Sequence, residues 1–136
     1  MVTGNIINQD SYDSRATSSF SQLAISVEGG SDVVITGNRI YSGYYGAATL
    51  SVLNADNVLI SNNDIVGETA QGNAVSINGG TDVYVNTNFI SQNSNGNFAV
   101  RFATVNKYSL WGNVFTGALS TTDFTGSTNR YTLGNN

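Results

Sequence analysis

Ala24–Ile40 reads AISVEGGSDVVITGNRI, and it recurs without a gap 25 residues later as Thr49–Ile65 (TLSVLNADNVLISNNDI). Ala74–Ile90 (AVSINGGTDVYVNTNFI) and Ala99–Phe115 (AVRFATVNKYSLWGNVF) follow at the same spacing. Read down the columns, Ile25 stands over Leu50, Val75 and Val100, and Val27 over Val52, Ile77 and Phe102. Val33, Val58, Val83 and Tyr108 form a third apolar column; Ile35, Ile60, Val85 and Leu110 a fourth; Ile40, Ile65, Ile90 and Phe115 a fifth. Between the last two runs a column that is asparagine throughout: Asn38, Asn63, Asn88 and Asn113. A fixed period of this length is the signature of a solenoid, whose units bury their apolar face only by stacking.

Within each copy apolar residues alternate, as they do in strands with one buried face. Three short strands per copy are expected, near residues 24–28, 33–36 and 39–41 in the first. Strands this short hold only if each pairs in parallel with its equivalent in the next coil, about 4.8 Å away. The fold class that follows is all-β: a single-stranded, right-handed parallel β-helix of about five coils of 25 residues with an asparagine ladder. Asparagine suits a sharp bend because it tolerates the left-handed conformation. Its amide also bonds to the asparagines above and below, as in other stacked ladders. Ser31-Asp32, Asp56-Asn57 and Thr81-Asp82 mark a second turn, where short side chains cap backbone N–H groups.

The pattern runs past the four copies. Val2–Ile7 matches Ile35–Ile40 at a spacing of 33, and Tyr131–Asn135 resembles Tyr108–Asn113 shortened by one or two residues. One domain is expected, with no linker dividing it, and a chain that starts and stops in mid-coil reads as a fragment of a longer β-helix.

Composition narrows the chemistry. Of 136 residues only 10% are charged, and the net charge is −4. No basic patch is available to neutralise phosphates, so nucleic acid is not an expected partner. No run of about 18 apolar residues is present, so no membrane span is expected, and the opening residues lack the pattern of a signal peptide. There is no cysteine and no histidine. That excludes disulfides, thiolate or imidazole metal sites, and serine–histidine nucleophiles. No metal or other cofactor is expected.

The repeated VVITGNRI, VLISNNDI and VYVNTNFI resemble the (V/L)xIxxNxI motif of the pectate-lyase-like right-handed β-helix superfamily. That superfamily includes polysaccharide lyases, polygalacturonases, mannuronan epimerases and bacteriophage tailspike depolymerases. The resemblance covers nearly the whole chain and implies a polysaccharide-directed module, part of a phage tailspike or of a secreted lyase or hydrolase. It also implies an extracellular or virion-tail location. The epimerases' Asp-Pro-His-Asp motif and the glycine-rich nonapeptides of calcium-binding β-rolls are missing. The alternative is a non-catalytic stalk or adhesion module that supplies rigidity and oligomerisation.

In these relatives the ligand lies along the first strand and the loop before it. Here that groove would be lined by Ser26, Ser51, Ser76 and Arg101 and by loops at 8–23, 41–48, 66–73 and 91–98. The loop Asn8–Leu23 is eight residues longer than its equivalents and carries Asp10, Tyr12, Asp13, Arg15 and Phe20. It serves either as a cap over the end or as a ligand contact. Tyr12, Tyr44 and Tyr45 offer flat faces for sugar CH groups, and Arg101 offers a cation to a uronate. Glycoside hydrolysis needs two carboxyls about 5–5.5 Å apart or about 6.5–9.5 Å apart, by mechanism. Glu68, in a groove-side loop, and Asp64 just before it are the candidate catalytic pair. Asp32 and Asp82, two coils apart in one column, read as turn residues, and Glu28 is a further carboxyl at the end of the first strand.

The outward column Val34, Leu59, Tyr84 and Ser109, with Trp111 nearby, is apolar for a solvated face. It is expected to form a homo-oligomer interface, a trimer in the manner of tailspikes, through Val34, Leu59, Tyr84 and Trp111. Its neighbour, Thr36, Ser61, Asn86 and Trp111, is not the regular threonine array an ice-binding face needs.

Overall fold

The computed structural model describes residues 1–9, 23–44, 48–69, 72–92, 98–117 and 122–134. Every regular element among them is a strand, and every strand pairs in parallel. The strands stack into three sheets that form a parallel β-solenoid. The first sheet holds Ile25–Glu28, Ala48–Leu53, Asn73–Asn78, Val100–Ala103 and Thr122–Asp123. The second holds Val2–Thr3, Ser31–Thr36, Asp56–Ser61, Thr81–Asn86, Asn106–Trp111 and Thr128–Leu133. The third holds Ile6–Gln9, Arg39–Tyr44, Asp64–Thr69, Phe89–Gln92 and Val114–Gly117.

The register is the one the repeat requires. Leu50 pairs with Val75, Val58 with Val83 and Ile65 with Ile90, so like residues stack rung upon rung. The apolar columns point inward: Leu50, Val52, Val58, Ile60, Ile65, Ile77, Val85 and Ile90 are fully buried. Each such side chain contributes roughly 1.5–3 kcal/mol of transfer free energy. Parallel strands of four to six residues therefore persist only as a stack.

The asparagine column is the spine of one corner. Asn38, Asn63, Asn88 and Asn113 are buried between the second and third sheets. Asn38 Nδ2 donates to Asn63 Oδ1, Asn63 Nδ2 to Asn88 Oδ1, and Asn88 Nδ2 to Asn113 Oδ1, each at 3.0 Å. The backbone N–H of each donates to the same oxygen, at 2.9, 3.0 and 2.9 Å. The second amide hydrogen of Asn63, Asn88 and Asn113 reaches back to the carbonyls of Ile35, Ile60 and Val85. Asn5 joins the ladder one coil earlier, donating to Asn38 Oδ1 at 3.0 Å.

One expectation about this corner is corrected. The ladder asparagines are not the left-handed residues. Positive φ falls on the residue just before each of them: Gly37 (66°), Asn62 (55°), Thr87 (55°) and Gly112 (63°). The bend is made by that preceding residue, which leaves the asparagine amide free to run along the stack. The second turn is as expected. Asp32, Asn57, Asp82 and Lys107 have φ between 51° and 57°. Asn57 Nδ2 donates to Asp32 Oδ1, and Asp56 Oδ1 accepts the N–H of Thr81.

The ends differ from the middle. Val2 pairs with Ile35 and Ile7 with Ile40, the 33-residue spacing read from the sequence. At the other end Val100 pairs with Thr122 and Ser109 with Tyr131, a spacing of 22. Tyr131 therefore lies beside Ser109, not beside Tyr108, whose partner is Arg130. The match of tyrosine to tyrosine misplaces this strand by one residue, and a one-residue slip exchanges its faces. By register the strand positions next to Tyr108 and Leu110 are those of Arg130 and Thr132. At this end of the core three aromatic rings gather: Phe102 stacks on Tyr108 with centroids 4.5 Å apart, and Phe124 lies 5.3 Å from Tyr108 and 5.7 Å from Phe102.

Candidate functional site

The residues that the repeat leaves variable are the outward columns and the connections from the third sheet to the first. On the first sheet the outward column is Ser26, Ser51, Ser76 and Arg101 in consecutive rungs. Register places Asp123 next below Arg101, one strand spacing away. The positions above Arg101 in this column are serines, with the exposed Glu28 two residues along the same face from Ser26.

The expected carboxyl pair lies on the third sheet. Asp64 opens the strand Asp64–Thr69 and stands beside Arg39, with the guanidinium Nε 3.4 Å from Asp64 Oδ2. The two side chains are 72% and 41% exposed, so water screens the contact, which is worth under about 1 kcal/mol. Glu68 lies four residues further along the same strand. At about 3.3 Å per residue the two Cα atoms are about 13 Å apart. Glu68 is placed beside Gly43, at the end of the sheet where Tyr44 pairs with Thr69.

Arg101 is on another sheet from Glu68 and in a rung further down the stack. Tyr12 and Tyr45 lie outside the described residues, as does most of the long loop at 8–23. Of Tyr44 the strand position alone is described. Asp32 and Asp82 occupy the capping turn, as read from the sequence. Among the described residues no group of three or more acidic, histidine or cysteine side chains is gathered as a metal site.

Two features escaped the sequence reading. Beneath the connection from the third to the first sheet, Gln92 is fully buried and its Nε2 donates to the Gly72 carbonyl at 3.1 Å. It fits because glycines stand above and below it in the same column. A Cβ at Gly67 would meet Gln92 Oε1, and one at Gly117 would meet the Gln92 carbonyl. Asn73, buried nearby, accepts the Phe98 N–H at 3.1 Å. The signal was present in the column Ser42, Gly67, Gln92, Gly117, where the largest member sits between two with no side chain.

The second feature is that apolar side chains also protrude on the third sheet, beside the outward column already read from the sequence. On the second sheet Tyr84 is 38% exposed and Trp111 42% exposed, while Val34 and Leu59 are half-buried. Around the asparagine corner, Phe89 and Val114 stack as exposed neighbours on the third sheet. Protruding apolar side chains thus stand in the rungs of Tyr84, Phe89, Trp111 and Val114, and Ile6 at the N-terminal end is 82% exposed. In the third-sheet column of Phe89 the earlier members are Ile6, Arg39 and Asp64.

The fold places the chain among parallel β-solenoids. No protein-family model matches it, and comparison with curated proteins and with solved structures returns no match.

Proposed function

We propose that the chain is a polysaccharide-directed module: a right-handed β-helix of about five coils that lays a glycan along its first sheet. The observation that carries this reading is the straight outward strip Ser26, Ser51, Ser76 and Arg101, neutral hydroxyls ending in one cation. Hydroxyls at a regular rung spacing suit the repeated hydroxyls of an extended sugar chain, and arginine suits a uronate carboxylate. The resemblance of the repeat to pectate-lyase-like β-helices supports the same substrate class, and with it a setting on a phage tail or outside the cell. The candidate catalytic pair remains Asp64 and Glu68, of which Asp64 faces Arg39.

The test is a panel of capsular and exopolysaccharides, followed by binding calorimetry and by reducing-end and unsaturated-uronate assays. Binding to an acidic glycan is expected, weakened about tenfold by Arg101→Ala, the loss of one charge-assisted contact of about 1.4 kcal/mol. Glu68→Gln is expected to leave binding unchanged. A chain that binds no member of the panel overturns the reading.

A second reading is favoured by the exposed Tyr84 and Trp111. In it the module is a non-catalytic stalk whose copies associate through the face carrying Val34, Leu59, Tyr84 and Trp111. Absence of glycan binding together with self-association selects it.

A further inference from the structure

On the outward face of the second sheet, large and small residues alternate between two neighbouring rungs. In the strand Thr81–Asn86, Tyr84 protrudes, whereas Asn86 is only 9% exposed. In Asn106–Trp111 the order is reversed, with Ser109 8% exposed and Trp111 protruding. Tyr84 pairs with Ser109 and Asn86 with Trp111, so each protrusion has a recess beside it in the adjacent rung. The recessed pair is itself bonded, with the Ser109 hydroxyl donating to Asn86 Oδ1 at 3.2 Å. Charge follows the same reversal. The left-handed turn residue leading the first strand is Asp82, and the one leading the second is the exposed Lys107.

We infer that this face docks a second copy of the same chain in an antiparallel, two-fold arrangement. An axis lying in the interface, parallel to the strands and midway between these rungs, keeps each residue's position along the strand and exchanges the rungs. Tyr84 then faces the partner's Ser109, Trp111 the partner's Asn86, and Asp82 the partner's Lys107. Symmetry makes each of these contacts twice, the reciprocity that a closed two-fold interface requires. Parallel three-fold packing, the arrangement expected from the resemblance, sets like rungs at one level. It therefore does not set a protrusion of one rung against the recess of the neighbouring rung. The inference rests on the self-association reading of this face and is independent of the glycan reading, which concerns the first sheet.

The face sets the affinity scale. Six residues by four rungs span about 20 Å by about 19 Å, about 400 Å² of each copy. That is half the area of a standard interface on one partner, so a weak dimer with a Kd on the order of 100 µM is expected.

Sedimentation equilibrium from about 10 µM to 1 mM tests this, with Trp111 fluorescence alongside, since it is the only tryptophan. The wild type is expected to pass from one copy to two as its emission shifts to the blue. Asp82→Lys sets lysine against the partner's Lys107, and Lys107→Asp sets aspartate against the partner's Asp82. Each variant alone is expected to dimerise at least tenfold more weakly. An equimolar mixture of the two restores both pairs, and association is expected to return to within about threefold of wild type. Both substitutions put at one turn the residue type that the neighbouring turn already holds at positive φ, 56° for Asp82 and 52° for Lys107. A third variant, Trp111→Ser, removes the protrusion without touching a turn and is also expected to weaken association tenfold. A wild type that stays single through 1 mM overturns the inference. So does a mass of three copies, or a mixture that associates no better than its components.

Discussion

The two corners that flank the second sheet solve one problem in opposite ways. Between the second and third sheets the corner is buried and repeats one residue, with Asn38, Asn63, Asn88 and Asn113 bonded rung to rung. Between the first and second sheets the corner is largely exposed and repeats only a backbone conformation. Gly29, Asn54, Gly79 and Thr104 share positive φ with no common side chain, as do Asp32, Asn57, Asp82 and Lys107. The difference follows from where the orphaned backbone groups find partners. At the buried corner water is excluded, so one amide must both accept and donate along the stack. An unpaired polar group there costs about 1–3 kcal/mol. At the exposed corner water and neighbouring carbonyls serve, and a residue need only tolerate the angle. Even the asparagine corner obeys this split. The bend itself, at Gly37, Asn62, Thr87 and Gly112, is free to vary while the amide after it is not.

The comparison breaks most sharply if one ladder amide is removed. Asn88 Oδ1 accepts from Asn63 N and Nδ2, and Asn88 Nδ2 donates to Ile60 O, Asn86 O and Asn113 Oδ1. Asn88→Ala strands several of these in a dry corner and is expected to cost about 3–5 kcal/mol in urea unfolding. A loss below 1 kcal/mol would show that the ladder is decoration.

At the exposed corner, glycines at one column position separate backbone angle from packing. Gly30 and Gly80 share φ near 90°, at 93° and 89°. A Cβ at Gly30 meets nothing, whereas one at Gly80 meets the Ala55 carbonyl of the rung above. Gly30→Ala is expected to cost about 1–2 kcal/mol for conformation alone. Gly80→Ala adds a further 1–3 kcal/mol or so from overpacking. Thermal unfolding of the pair measures the difference, and equal losses would remove rung contact as its cause.

The smallest effect concerns the bend. Thr87 is a β-branched residue at φ 55°, in a column where Gly37 and Gly112 already serve. Thr87→Gly relieves that strain but forfeits the hydrogen bond from its hydroxyl to Asn62 Oδ1. A net gain of up to about 1 kcal/mol is expected, read as a rise in urea midpoint at constant m-value. A marked loss would mean that the hydroxyl contact outweighs the angle.

The parallel pairing, the three sheets, the inward columns and the ladder were legible in the sequence because each follows from periodicity. A residue repeated every 25 positions in a stack has its own kind for a neighbour, whatever the rest of the chain does. The candidate site was much less legible. Asp64 and Glu68 lie close in sequence, but an extended strand holds them about 13 Å apart. Arg101 stood out as the lone cation of its column, yet Asp123 reaches the next place only because the last coil is three residues shorter.

What the sequence alone determined is the rung: its strands, its inward face and the asparagine that repeats at its corner. Each depends on local alternation and on identical neighbours above and below. What only the tertiary structure decided is what differs between rungs. The left-handed angle fell on the residue before each asparagine, because the amide must align with the stack. The last strand took the register that sets Tyr131 beside Ser109, and three aromatic rings gather at that end of the core. Tyr84 and Trp111 protrude beside recesses because side chains of unlike size stack at one rung spacing on an outward face. Relations between unlike residues in adjacent coils have no period, so the repeat carries no record of them.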